Sequence, residues 1–205
     1  MYTAAMNEHP AFLVYRHLPK FFASRGVGGP ALDAPRGKFI ADLDLIGYCR
    51  VEADGGRLVV LILAPASKYV LHGPDLRQLL SVTLIKGKTV EVLVFAPEKA
   101  QKKSNIYNVI LASRKLFKPV MFDMYPYHVL SVDIPRCRSV PRHTVVPNDE
   151  VAAFLKFSRL RPSDLNVMRV DDPPVVWIGG RAGQVVRTES SSETTGIVIN
   201  YWLLR

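Results

Sequence analysis

The chain has 205 residues, 48% of them hydrophobic, and a formal net charge of +9. That length suffices for one large or two small domains without a disulfide, and Cys49 and Cys137, with no CxxC or Cys/His spacing around them, argue against zinc and for a reducing compartment. No apolar stretch approaches the ~20 residues of a membrane span and no signal-peptide pattern opens the chain, so a soluble, intracellular protein is expected.

In chain order, residues 8 to 24 predict an amphipathic helix with Phe12, Tyr15, Leu18 and Phe22 on its apolar face. The Gly- and Pro-rich stretch SRGVGGPALDAPRG then predicts a loop. Strands follow at 39–51 and at 57–64, the second being the most apolar run, and a helix near 75–85. A strand at 89–96, a helix near 104–116, a strand around 120–124 and an extended segment at 127–134 complete this part. Strands separated by helices favour an α/β layer with some parallel pairing. Pro135, Pro141, Arg136 and Arg138 read as a connector, giving domains at 1–138 and 139–205.

Beyond the connector, Asn148 is placed to cap a helix whose first turn carries Asp149 and Glu150 and whose Val151, Phe154 and Leu155 repeat at helical spacing. A shorter helix is expected at 163–168. Asp172-Pro173 sets an extended segment, Val175 to Ile178 a short strand, GGRAG a turn, 184–189 a second strand, SSSE a polar loop and 195–204 a third strand. Two helices over a short sheet make a small α+β module.

The basic excess is uneven. Before Ser139 there are 19 Lys and Arg against 11 Asp and Glu; from it onward there are 8 against 7. A basic half beside a nearly neutral one suggests polyanion contact in the first and protein contact in the second, although a basic half that merely keeps the chain soluble accounts equally well for the charge.

The last third carries VPRH, DDPPVVWIGGRAGQVV and SETTG in fixed order and tight spacing. At Val140, Pro141 and His143, at Asp172 and Pro173, at Gly179, Gly183, Val185, Val186 and Arg187, at Ser192, Glu193, Thr194 and Gly196, and at Tyr201 it resembles the C-terminal assembly module of the fifth subunit of nuclear, eukaryotic-type RNA polymerases, a family that includes an archaeal counterpart. Arg187 stands where the family has lysine, and Pro147, Ser190 and Trp202 replace a serine and two arginines of the pattern. The first part looks closer to the divergent versions of large cytoplasmic DNA viruses, through KYVLHGPDLRQLL, YPYHVLSVDIP and DPPVVWIGGR. The family's jaw-loop motif falls near Pro97, Glu98, Lys99 and Ala100 and is not kept.

The resemblance implies an α+β protein of two domains: an N-terminal α/β jaw domain of restriction-nuclease-like topology and a C-terminal assembly domain. It implies a non-catalytic subunit of a DNA-directed RNA polymerase, with the largest subunit, neighbouring subunits and downstream double-stranded DNA as partners. No membrane, small-molecule substrate, cofactor or metal is expected. Its location would be the host cytoplasm if viral, and the virion in addition, or the nucleus if cellular.

Other constellations weigh less. The glycines at 179, 180 and 183 precede no helix and no GK[ST], so a hairpin turn accounts for them better than a phosphate cradle. GVGG at 26–29 fails in the same way. Asp42 and Asp44 alternate onto one strand face and suit Mg²⁺, but a nuclease of this topology needs an acid and a lysine two residues apart downstream, and Glu91 is followed by Val92 and Leu93. A solvated strand face is the default there, with a metal-dependent nuclease or a basic adaptor of a transcription regulator as alternative functions. His143 and His128 lack a nucleophile elbow and read as structural, His143 as a buried histidine bonded to the connector. Lys99, Lys102, Lys103, Arg114 and Lys115 are the candidate DNA contacts, suited to holding phosphates without reading bases.

Overall fold

A computed structural model describes residues 10–27, 45–53, 56–63, 77–78, 89–97, 105–118, 120–192 and 194–205. These form a mixed α+β structure in two compact units, one ending at Val132 and the other beginning at Asp133. The expected helix near 75–85 lies outside the described residues apart from 77–78, as does the Gly/Pro loop from residue 28 onward.

The first unit is a four-stranded sheet: β1 (Leu45–Ala53), β2 (Gly56–Leu63), β3 (Thr89–Ala96) and β4 (Met121–Pro126), ordered as numbered. β1 runs antiparallel to β2, whereas β2, β3 and β4 are mutually parallel. β2 and β3 read as apolar runs because both faces are covered; every residue from Leu58 to Leu63 and from Val92 to Ala96 is buried. On one face Val59, Leu61, Leu63, Val92, Val94 and Phe122 pack with Ile106, Val109 and Ile110 of α2 (Asn105–Leu116). On the other, Phe95 meets Phe21 of α1 (Pro10–Ser24) edge-on at 6.2 Å.

The buried face of α1 is Ala11, Val14, Leu18, Phe21 and Phe22, while Phe12 and Tyr15, expected inside, are half-buried. The helix is rolled toward α3 (His128–Ser131), where His17 Nδ1 lies 2.6 Å from the Leu130 carbonyl. Residues 127–134 are thus not extended: Tyr127 begins the turn that becomes α3, buries its ring, and donates its hydroxyl to the Leu63 carbonyl at the end of β2. Burial without a compensating charge raises the Tyr127 pKa, so the phenol stays a donor.

In the second unit, β5 (Arg142–Val146), β6 (Asn166–Met168), β7 (Val185–Ser192) and β8 (Gly196–Leu204) form a sheet in the order β5-β7-β8-β6. β7 pairs antiparallel with β5 and β8, and β6 runs parallel to β8. Helix α4 (Asn148–Ser158) covers one face through Val151, Phe154 and Leu155 against Val146, Val185, Tyr201 and Leu203. Helix α5 (Pro173–Ile178) covers the other, where Val175 and Ile178 pack with Val145, Val186 and Leu204.

Several expectations are corrected here. Val175 to Ile178 is helical, not a strand: Asp172 is extended at the N-cap, Pro173 needs no N–H donor at the first helical position, and Val176 bonds back to the Asp172 carbonyl at 2.9 Å. The helix expected at 163–168 is a 3-10 turn (Pro162–Asp164) followed by β6, closed by the Arg161 guanidinium on the Asp164 carboxylate. Pro147, not Asn148, is the N-cap of α4 and gives no side-chain cap. The serines of SSSE continue β7 through Ser192, and the connector contains most of a 3-10 turn at Ile134–Arg136 and leads directly into β5.

Candidate assembly module and nucleic-acid face

The motif residues of the last third converge on the sheet of the second unit, and almost all of them build it. Pro141 is exposed and its carbonyl lies 2.6 Å from His143 Nδ1 on β5. His143 is half-buried. Loss of solvent lowers its pKa below the ordinary 6.5, with the Pro141 bond and the charge of Asp172 opposing, so the neutral ring is favoured.

Asp172 and Pro173 start α5 and Gly179 ends it in the left-handed conformation at φ 71°. The next glycine is fixed by space: a Cβ on Gly180 would stand 2.7 Å from Leu204 Cδ1 and 2.8 Å from Val175 Cγ1. Gly183, at φ 87°, donates its N–H to the Leu204 carbonyl at 2.9 Å and turns the chain into β7. The glycine cluster therefore caps a helix and leads into a strand; it is not an anion cradle.

Val185 and Val186 point to opposite faces, the first under α4 and the second under α5. Arg187 pairs with Glu189 at 2.8 Å on the α4 side, with its Nε buried and unpaired. Ser192 bonds Thr194 at 3.2 Å and accepts from the Thr195 N–H at 3.4 Å, and Gly196 at φ 77° opens β8. Glu193 lies outside the described residues. Tyr201 stacks on Phe154, centroids 3.9 Å apart and planes 20° apart. Trp202, which departs from the family pattern, donates its indole N–H to Thr188 Oγ1 at 2.9 Å across the ladder. Caps and turns with fixed offsets are the signal that makes this region legible. The residues left exposed between them, Ile197 and Ile199 among others, carry no such signal in the sequence.

The candidate DNA contacts are only partly in view. Lys99, Lys102 and Lys103 lie outside the described residues. Arg114 is exposed, with its Nε 2.6 Å from the Phe122 carbonyl and a terminal nitrogen 2.6 Å from Asp123. Lys115 is exposed in the last turn of α2, where a cation suits the helix dipole. Both side chains are exposed, and Arg114 in addition braces α2 against β4.

Asp42 and Asp44 lie outside the described residues, and no group of three His, Cys, Asp or Glu among the described residues could hold a metal ion. Glu91, which a nuclease reading would enlist, is buried and paired with Arg25 at 3.0 Å, and that guanidinium sits 4.5 Å over the Phe21 ring. The pair ties the end of α1 to β3. Cys137 is half-buried, its sulfur 3.1 Å from Ser139 Oγ, and no helix among the described residues is long and apolar enough to cross a membrane.

Residues 132–204 match the family model of the RNA polymerase Rpb5 C-terminal domain. The chain is 37% identical over 173 residues to a DNA-directed RNA polymerase RPB5 homolog of African swine fever virus, covering 82% of this chain and 84% of that protein. A second isolate of the virus has a homolog 36% identical over the same length. The DNA-directed RNA polymerase subunit Rpo5 of Methanocaldococcus jannaschii is 38% identical over 65 residues, 32% of this chain but 83% of that one. Similarity of this depth across both units, together with a C-terminal unit whose turns and caps fall on the motif positions, shows that the chain belongs to the RPB5 family of DNA-directed RNA polymerase subunits.

Proposed function

We propose that this chain is a non-catalytic structural subunit of a multisubunit DNA-directed RNA polymerase. Its C-terminal unit anchors it to the largest subunit and to neighbouring subunits, and its N-terminal unit, with a restriction-nuclease-like topology, forms part of the lower jaw beside downstream DNA. The observation that carries this is the 37% identity to a polymerase RPB5 homolog over four fifths of both chains. The archaeal Rpo5, matched over 83% of its length by 65 residues of this chain, supports an anchor that is a unit in itself. The charge supports the jaw: the basic excess lies before Ser139, where a long-range field guides a polyanion without sequence preference. The viral relatives favour transcription in host cytoplasm as the setting.

The jaw is tested by photo-crosslinking from DNA placed ahead of an engaged polymerase. Labelling should fall on the first unit, weaken steeply with salt and be independent of sequence. Labelling confined to residues after 138, or none, would remove the first unit from the DNA path.

A further inference from the structure

We propose that the outer edge of β8, at Gly196–Asn200, is a strand-addition site that takes an extended segment of a partner polypeptide; this rests on the reading of the C-terminal unit as the anchor. β6 pairs only with Trp202–Leu204, and among the described residues no strand lies beside the rest of that edge. The direction of its backbone groups follows from the register. Leu204 donates to the Gln184 carbonyl at 2.9 Å, and β8 keeps an unbroken antiparallel register with β7 from Leu203 back to Gly196. Even-numbered residues therefore face β7, and Ile197 and Ile199 direct their N–H and C=O groups to the open edge.

The same two residues put their side chains on the α4 face of the sheet, in line with Tyr201, and are 71% and 50% exposed. Phe157, 90% exposed, lies one turn along α4 from Phe154, the residue that stacks on Tyr201.

Sheet edges are ordinarily blunted by brevity, charge, proline or a bulge. The other edges of this sheet follow that rule: β6 has three residues, and β5 has five and opens with Arg142. Gly196-Ile197-Val198-Ile199-Asn200 has no charge, no proline and no break in register. The alternation of donor, acceptor and apolar side chain also selects the occupant. DNA offers phosphate acceptors to the N–H groups but nothing to the carbonyls, and a helix has its own backbone groups already paired. An extended chain supplies both, with apolar side chains at every second position.

The test uses the full chain and the co-expressed largest subunit of its polymerase. Free, the amides of Ile197 and Ile199 should exchange with deuterium faster than those of Val198 and Asn200; in the complex they should slow by at least about tenfold. Ile199→Pro deletes one outward N–H and leaves the β7 ladder intact; it should weaken binding by about tenfold or more, while Ile199→Val binds as the parent does. Outward amides that stay fast in the complex, a folded Ile199→Pro that binds normally, or a homodimer of the parent that Ile199→Pro dissolves would each overturn the proposal. Failure of the parent to bind the largest subunit would sink the anchor reading with it, whereas binding with unprotected amides sinks the edge alone.

Discussion

At the residue scale, the motif glycines serve backbone geometry: Gly179, Gly183 and Gly196 all have positive φ, where they cap α5, lead into β7 and open β8. Gly180, beside the motif glycine at 179, is fixed by space: a methyl there meets Leu204 and Val175 at under 3 Å, between α5 and the last strand. Gly180→Ala should cost about 1–3 kcal/mol in denaturant unfolding, as overpacked cores do, with no effect on DNA affinity. His143 gives a pH signature. Its folded pKa is lowered by burial, so below about 6.5 the unfolded chain binds more protons than the folded one. The stability contributed by the neutral ring is complete above 6.5 and is lost as pH falls through the lowered folded value. His143→Gln should flatten that part of the stability–pH curve. Asp164, whose pKa is lowered by Arg161, acts only below 3.8 and does not overlap.

At the element scale, the buried pair between Arg25 and Glu91 decides how α1 is held. With side-chain exposures of 7% and 10%, removing one partner strands the other charge, so Glu91→Ala should destabilise the first unit by about 3–5 kcal/mol, measured by thermal unfolding. α2 carries two of the candidate DNA contacts, of which Arg114 also braces β4. Lys115→Ala should lower DNA affinity and reduce the salt slope by about one; Arg114→Ala should instead loosen β4 and leave the slope unchanged. Long or strongly patterned elements were legible: β2 and β3 by their apolar runs, α4 by its Val151–Phe154–Leu155 spacing, and β8 by its length. Short apolar pieces were not. Val175-Val176-Trp177-Ile178 buries whether helix or strand, so pattern alone cannot choose, and the two prolines before it start a helix as readily as they extend a strand. β5 went unseen because its five residues alternate too briefly, and the pairing of the exposed Arg114 with Asp123 was not legible because Asp123 comes from the next strand.

At the scale of the whole molecule, two units of different character share one chain. The first is an α/β layer whose sheet is covered on both sides, and it carries the basic excess; the second is a small sheet held between two helices and nearly neutral. That contrast is what the proposed division between an anchor and a DNA-facing module requires. One relative is matched over only 32% of this chain but over 83% of its own length. The most direct measurement is the native mass of whatever assembly is purified through a tag on this chain in expressing cells, with nucleotide incorporation and DNA cleavage assayed on the chain alone. One copy of the chain bound with the large polymerase subunits, and no activity by itself, is the predicted result. Recovery free of those subunits, or a chain that cleaves DNA unaided with Mg²⁺, would contradict it.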